Sequence, residues 1–140
     1  NIGLINMELI NTDRVEGFNQ IKWNTDFKLL LKIRLKESND IPIFNIIILD
    51  KEQRPVALLE NNHKNSEISI SNNEIEVLIN HKNIQLSKGV YTINLEILNF
   101  KTKGPHLRIN GLVPFQIIHN HSNWQPFLLK TNYSSIHKIK

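Results

Sequence analysis

Apolar and polar residues alternate with a period of two along most of this chain. In FKLLLKIRLK, Phe27, Leu29, Leu31, Ile33 and Leu35 fall on one side, and Lys28, Lys32, Arg34 and Lys36 on the other, with Leu30 the apolar exception. Successive side chains of a strand point to opposite faces, so the stretch predicts a half-buried strand. PIFNIIILD is apolar on both faces except at Asn45, as a more central strand would be, and its β-branched content opposes a helix. IEVLI (75–79) and LVPFQIIH (112–119) read the same way, and IGLINMELI, PVALLE and EISIS do so more weakly. Between them lie turn-forming stretches such as ESND, DKEQRP, SNNE and KTKGP, with no amphipathic helical pattern separating the strands. This layout predicts an all-β, antiparallel sandwich of about seven to eight strands. The strands are expected at 2–11, 27–36, 43–50, 55–60, 66–70, 74–80, 89–98 and 111–119.

One segment says more about the architecture. In LSKGVYTINLEIL, Leu86, Gly89 and Tyr91 lead into a strand where Tyr91, Ile93, Leu95 and Ile97 alternate with Thr92, Asn94 and Glu96. Immunoglobulin-like sandwiches often carry a tyrosine near the start of the sixth strand, its hydroxyl bonded to backbone a few residues upstream. On that reading Leu86 anchors the loop in the core and Gly89 takes a backbone angle that a Cβ forbids. Tyr91 buries its ring, and Ile93 faces Leu31 or Ile33 across the core where antibody domains place a disulfide. The chain has no cysteine, so apolar burial at roughly 1.5–3 kcal/mol per side chain is expected to replace it.

If the apolar residues of 43–50, 89–98 and 111–119 point inward, then Asn45, Thr92, Asn94, Glu96 and Gln116 share the outer face of one sheet. Those five are the candidate site.

Composition narrows the setting. At 140 residues, 40% hydrophobic and 21% charged, the chain is expected to form a single folded domain over 1–140, ending in a tail from about 120. The first residue is not Met, so the sequence is read as a piece of a longer protein. No apolar run approaches the roughly 18 residues of a membrane span, and no signal-peptide layout opens it. With no cysteine either, a cytoplasmic location is expected. The formal charge of +4 reads mostly as a solvated surface.

The run FKLLLKIRLK, IPIFNIIILDKEQRPVALLENN, IQLSKGVYTINLEIL and GLVPFQI resembles the C-terminal carbohydrate-binding domain of Wzt-type proteins. These are the ATP-binding subunits of ABC transporters that export O-antigen and related bacterial polysaccharides. The likeness spans about residues 5–118 and rests on the strand with Pro42, Phe44, Ile46, Ile48 and Asp50, the hairpin to Val56, and Leu86, Gly89 and Tyr91. One departure is Gln53-Arg54 in that hairpin, where a glycine is commoner, which is expected to alter the turn and not the fold.

The resemblance implies a non-catalytic domain, without cofactor, that recognises the exported glycan, including its non-reducing end. It also implies attachment to the membrane through the transporter subunits, and pairing as a homodimer, sometimes by exchange of a C-terminal strand. WQPFLLKTNY suits such an exchange and equally suits a fold-back onto its own domain. The family's sites vary with the sugar, so no ligand residue carries over. The alternative is an immunoglobulin-like module that contacts protein.

Chemistry favours the first reading. Sugar hydroxyls need donors and acceptors together, which Asn and Gln supply from one side chain, and the outer face presents Asn45, Asn94 and Gln116 with Glu96 and Thr92 beside them. An aromatic platform is less evident: Trp23 and Trp124 lie outside the predicted strands, where core burial or a dimer contact is the ordinary role. Lys101, Lys103, His106 and Arg108 gather in one predicted loop, which reads first as solvated and second as a contact for an acidic glycan.

The pattern excludes other classes. There is no Gly-rich phosphate loop ending in Gly-Lys-Ser/Thr. His119 and His121 share a face without a third metal ligand, and Glu74 and Glu76 mark no acid/base couple. Asn120-His121-Ser122 and Asn132-Tyr133-Ser134 read as chance sequons, and no interleaved aromatic and basic stripe suggests nucleic acid.

Overall fold

The computed structural model describes residues 2–10, 12–35, 40–60 and 68–137, and in these the alternating segments form nine strands. They are β1 (Ile2–Leu9), β2 (Asp13–Val15), β3 (Phe18–Lys22), β4 (Phe27–Leu35), β5 (Ile43–Leu49), β6 (Pro55–Leu59), β7 (Glu74–His81), β8 (Gly89–Leu98) and β9 (Pro105–Ile118). No helix is present among the described residues. A three-stranded sheet, β1-β4-β7, faces a six-stranded one, β2-β3-β9-β8-β5-β6. Every pairing is antiparallel except β3 with β9.

The two sheets close over one core because each brings a continuous apolar face to it. From β4, Phe27, Leu29, Leu31 and Ile33 are wholly buried; Phe44, Ile46 and Ile48 come from β5, and Tyr91, Ile93, Leu95 and Ile97 from β8. Phe115 joins the layers: its ring lies 5.5 Å from Phe27 of the facing sheet and 5.5 Å from Tyr91 of its own. Ile93, Leu31 and Ile33 are all wholly buried in this core.

The tyrosine corner forms as the sequence predicts. Tyr91 is buried, its hydroxyl donates to the Ser87 carbonyl at 2.5 Å, and Leu86 anchors the loop in the core. Burial, with the nearby Asp50 charge second, pushes the phenol up to about 12. Gly89 differs from expectation. Positive φ belongs to Gly17 and Gly111 and not to Gly89, which sits in extended register opposite Ile117. Its lack of a side chain leaves room for the Tyr91 ring to lie back toward Ser87: a Cβ there would touch the ring at 3.7 Å, an ordinary contact that a longer side chain would overfill.

Other departures have physical causes too. β2 and β3 escape the alternation rule because Asn19 points inward. It is 8% exposed, accepts from Thr12 Oγ1 at 3.0 Å and donates to the Pro114 carbonyl at 3.4 Å, so a polar residue fills a core position. Of the strand expected at 66–70, Ser66 and Glu67 lie outside the described residues. Ile68 and Ile70 pack against the core without a ladder, and only Ser71 bridges, to Glu74.

β9 starts six residues earlier than expected and shifts register against β8 at three places, one near its start, where Ile97 opposes Leu107 and Leu98 opposes Pro105, and two further along. Ile109 opposes Leu95, Leu112 opposes Ile93 and Phe115 opposes Tyr91, so β9 advances three residues for each two of its partner. The irregular backbone shows at Gly111 (φ 71°) and Val113 (φ 47°), and Val113 is half-buried at the core edge.

Candidate functional site

The outer face of β9-β8-β5-β6 is built in rows set by strand register. One row is Asn45, Glu96 and Arg108; the next is Leu58, Ile47 and Asn94; then Leu49 and Thr92; last Val90, Gln116 and Gln20. All five sequence-predicted site residues therefore lie on this face, each half-buried.

They fall into separate groups. Asn45 Nδ2 donates to Glu96 Oε1 at 3.4 Å, and the other oxygen of Glu96 pairs with Arg108 Nη2 at 2.5 Å. Amide, carboxylate and guanidinium thus lie side by side, with the Arg108 side chain 60% exposed. Asn94 Oδ1 accepts from the Gly111 backbone N–H at 2.9 Å, which ties down the bulge and leaves its Nδ2 without a partner among the described residues. Thr92 Oγ1 is covered and has no partner among the described residues, so it presents no hydroxyl to solvent. Gln116 accepts from Gln20 Nε2 at 3.2 Å. Six residues of β8 separate the Glu96 row from the Val90–Gln116 row, about 20 Å at ~3.3 Å per residue. Asn45, Glu96 and Asn94 form one neighbourhood, and Gln116 belongs to another.

Sequence reasoning placed Arg108 in a loop and missed Gln20 entirely. The loop is shorter than it looked, because Asn99 closes it: its Oδ1 accepts from the N–H groups of Lys101 (2.8 Å) and Thr102 (3.0 Å), and its own N–H donates to the Gly104 carbonyl (2.8 Å). The four basic side chains near it are all engaged: Lys101 with Asp40, Lys103 with the Phe100 carbonyl and ring, His106 with Asn99, and Arg108 with Glu96. They do not form a free cationic cluster.

The two tryptophans differ. Trp23 packs against the core, stacks on His119 at 4.6 Å and donates its Nε1–H to the Leu128 carbonyl at 2.9 Å. Trp124 is 88% exposed. The segment around it folds back on its own chain: the Ser87 N–H donates to the Pro126 carbonyl and the Leu128 N–H to that of Gln85, both at 3.0 Å. Beyond it Leu129, Tyr133 and Ile136 are 65%, 95% and 90% exposed.

Comparison with known proteins bears on the whole arrangement. No protein-family model and no curated protein matches the sequence. Among solved structures, the crystal structure of the C-terminal domain of Wzt superposes with a TM-score of 0.72 over 96% of this chain and 83% of that one. The chain has the fold of the Wzt C-terminal domain. Identity with the Wzt domain is 17%, so backbone architecture is what the two share, and the rows of side chains above are this chain's own. In both the sequence pattern and the three-dimensional match, Wzt is the common reference. Among the described residues no helix is long and apolar enough to cross a membrane, and no three metal-ligating side chains cluster.

Proposed function

We propose that this chain is a non-catalytic carbohydrate-binding domain that recognises a bacterial cell-surface polysaccharide, of the O-antigen kind, for export by an ABC transporter. The observation that carries the reading is the Wzt C-terminal fold over nearly the whole chain, combined with a sheet face that lines up planar hydrogen-bonding groups. Asn45, Glu96 and Arg108 offer donors and acceptors in one row, and the free Nδ2 of Asn94 adds a donor next to it. Neutral hydrogen bonds contribute roughly 0.5–1.5 kcal/mol each, so the face suits repeated contacts of moderate strength along a polymer. Gln116 and Gln20, with Thr92 as a structural element between, extend the same surface toward β3.

The domain acts on the cytoplasmic side, held there by transporter subunits through its parent protein. It works as a homodimer in which residues 129–137, whose apolar side chains find little cover on their own domain, reach the partner. The deciding experiment is binding of the purified domain to an array of bacterial surface polysaccharides. Saturable capture of at least one, weakened by Asn45→Ala with Asn94→Ala, supports the reading. A folded dimer that captures none speaks for the protein-contacting alternative.

A further inference from the structure

A concavity lies at the edge of that face, beside Val90. At the end of the sandwich a cleft of about 610 Å³ opens between the β5–β6 turn, the start of β8 and residues 123–126, within the usual volume range of small-ligand sites. Its charged wall is the turn. Asp50 accepts from the N–H groups of Glu52 (3.0 Å) and Arg54 (2.9 Å) and from Arg54 Nε (2.8 Å), so the turn is rigid and Arg54 is already neutralised. Glu52 also lines the cleft and shares Arg54 at 3.5 Å, while Lys51 and Lys88 form no ion pair among the described residues, so the lining carries a net positive charge.

Trp124, 88% exposed, also lines the cleft. The backbone on each side of it is held: Asn123 Nδ2 donates to Ser87 Oγ at 2.8 Å and to the Gln125 carbonyl at 3.0 Å, and Pro126 accepts from Ser87. An indole kept in water on an anchored segment is a ready platform, because little further ordering is needed when a flat apolar surface settles on it.

An exposed indole in a cleft that also holds Lys51 and Lys88, and whose lining carries a net positive charge, suits a pyranose ring whose C–H face stacks on the indole and which bears a negative charge. We infer that this cleft is a second glycan subsite that takes a hexuronic acid residue, with its ring on Trp124 and its carboxylate answered by Lys51 and Lys88. The inference rests on the carbohydrate-binding reading and deepens it, since a polymer engaged on the sheet face and at this end would be held at two points.

The test uses the full chain labelled with 5-fluorotryptophan, whose ¹⁹F spectrum carries one line for each of the two indoles, assigned with Trp124→Phe. The probes are an oligogalacturonate, a neutral maltooligosaccharide and glucose 6-phosphate. The Trp124 line is expected to shift saturably with oligogalacturonate and at least tenfold more weakly with the neutral oligomer, while the Trp23 line stays. Lys51→Ala and Lys88→Ala each weaken binding roughly two- to fivefold, an effect that salt mimics.

An equal response to the neutral oligomer overturns the charge recognition. A response to glucose 6-phosphate alone overturns the uronic-acid assignment in favour of a phosphorylated sugar. A Trp124 line that moves with protein concentration and not with sugar overturns the subsite in favour of a contact between copies. Capture of any polysaccharide on the array with a Trp124 line that stays silent toward oligogalacturonate overturns this inference alone; capture of none, with a silent line, overturns the carbohydrate reading as well.

Discussion

Replacing Tyr91 by Phe isolates a single hydroxyl. It removes the donor to the Ser87 carbonyl and keeps the ring that packs on Phe115. Ser87 is 4% exposed, so its carbonyl is left buried with no donor, at a cost of about 1–3 kcal/mol. At this chain length that corresponds to a fall in Tm of roughly 4–12 °C.

Alkaline pH gives a second, independent signature. The phenol's ordinary value near 10 rises to about 12 in the fold, chiefly through burial. Below pH 10 both states hold the proton and the native advantage is fully present. Between pH 10 and 12 the unfolded chain releases it while the folded chain keeps it, so native stability falls with rising pH. Two units at ~1.4 kcal/mol each make about 3 kcal/mol, comparable to the whole benefit of the hydroxyl. Urea unfolding at pH 8 and at pH 11.5 therefore should show the wild-type lead over Tyr91→Phe at the first pH and its near disappearance at the second. An undiminished gap at pH 11.5, or no gap at pH 8, refutes the corner as described.

Further expectations concern the hairpin, acid stability and the tail. Gln53 sits at φ 64° in the β5–β6 turn, a conformation that costs a residue with a Cβ about 1 kcal/mol, so Gln53→Gly should raise the thermal midpoint slightly or leave it unchanged; a clear fall would contradict the turn geometry. Asp26, Asp50 and Glu74 are held below the ordinary carboxylate range by the Asn83 N–H, the Arg54 N–H and the Arg34 guanidinium respectively. Their contribution is present above the ordinary values of 3.8 and 4.5 and is lost as pH falls through and below them. Tm should be flat from pH 7 to 5 and decline below that, less steeply in Asp50→Asn. Deleting 129–137 should leave the Tm of the remaining chain almost unaltered, because those apolar groups are exposed, while light scattering should show a dimer for the whole chain and a monomer for the shortened one.

What could be read from the sequence was whatever periodicity and one corner motif control. β4 and β8 alternate almost throughout, Leu30 being the exception in β4, and their inward residues are the centre of the core; the strand 89–98 was placed to the residue. Tyr91 located the crossover because its partner is local, four residues back. Features that depend on cross-strand register were not legible. Asn45 and Gln116 share a face by parity, yet nothing in the sequence says that six residues of β8 separate their rows. The register shifts of β9 opposite Leu95 to Tyr91 are spread over a proline, a glycine and a valine that keep an apparently simple alternation. β3 was hidden by an inward Asn19 satisfied from distant elements, and the Trp124 cleft by a fold-back that only backbone pairing to 85–87 creates. The glycine before the corner was legible as a requirement, but its cause is the ring lying across it and not its own φ.

The most direct test of the central claim is an amide NMR titration of the domain with the polysaccharide it captures most strongly. The account predicts saturable shifts clustered on Asn45, Asn94, Glu96 and Arg108, with β4 and β7 silent. Shifts confined to the β1-β4-β7 sheet, or none at all on a correctly folded protein, would contradict it.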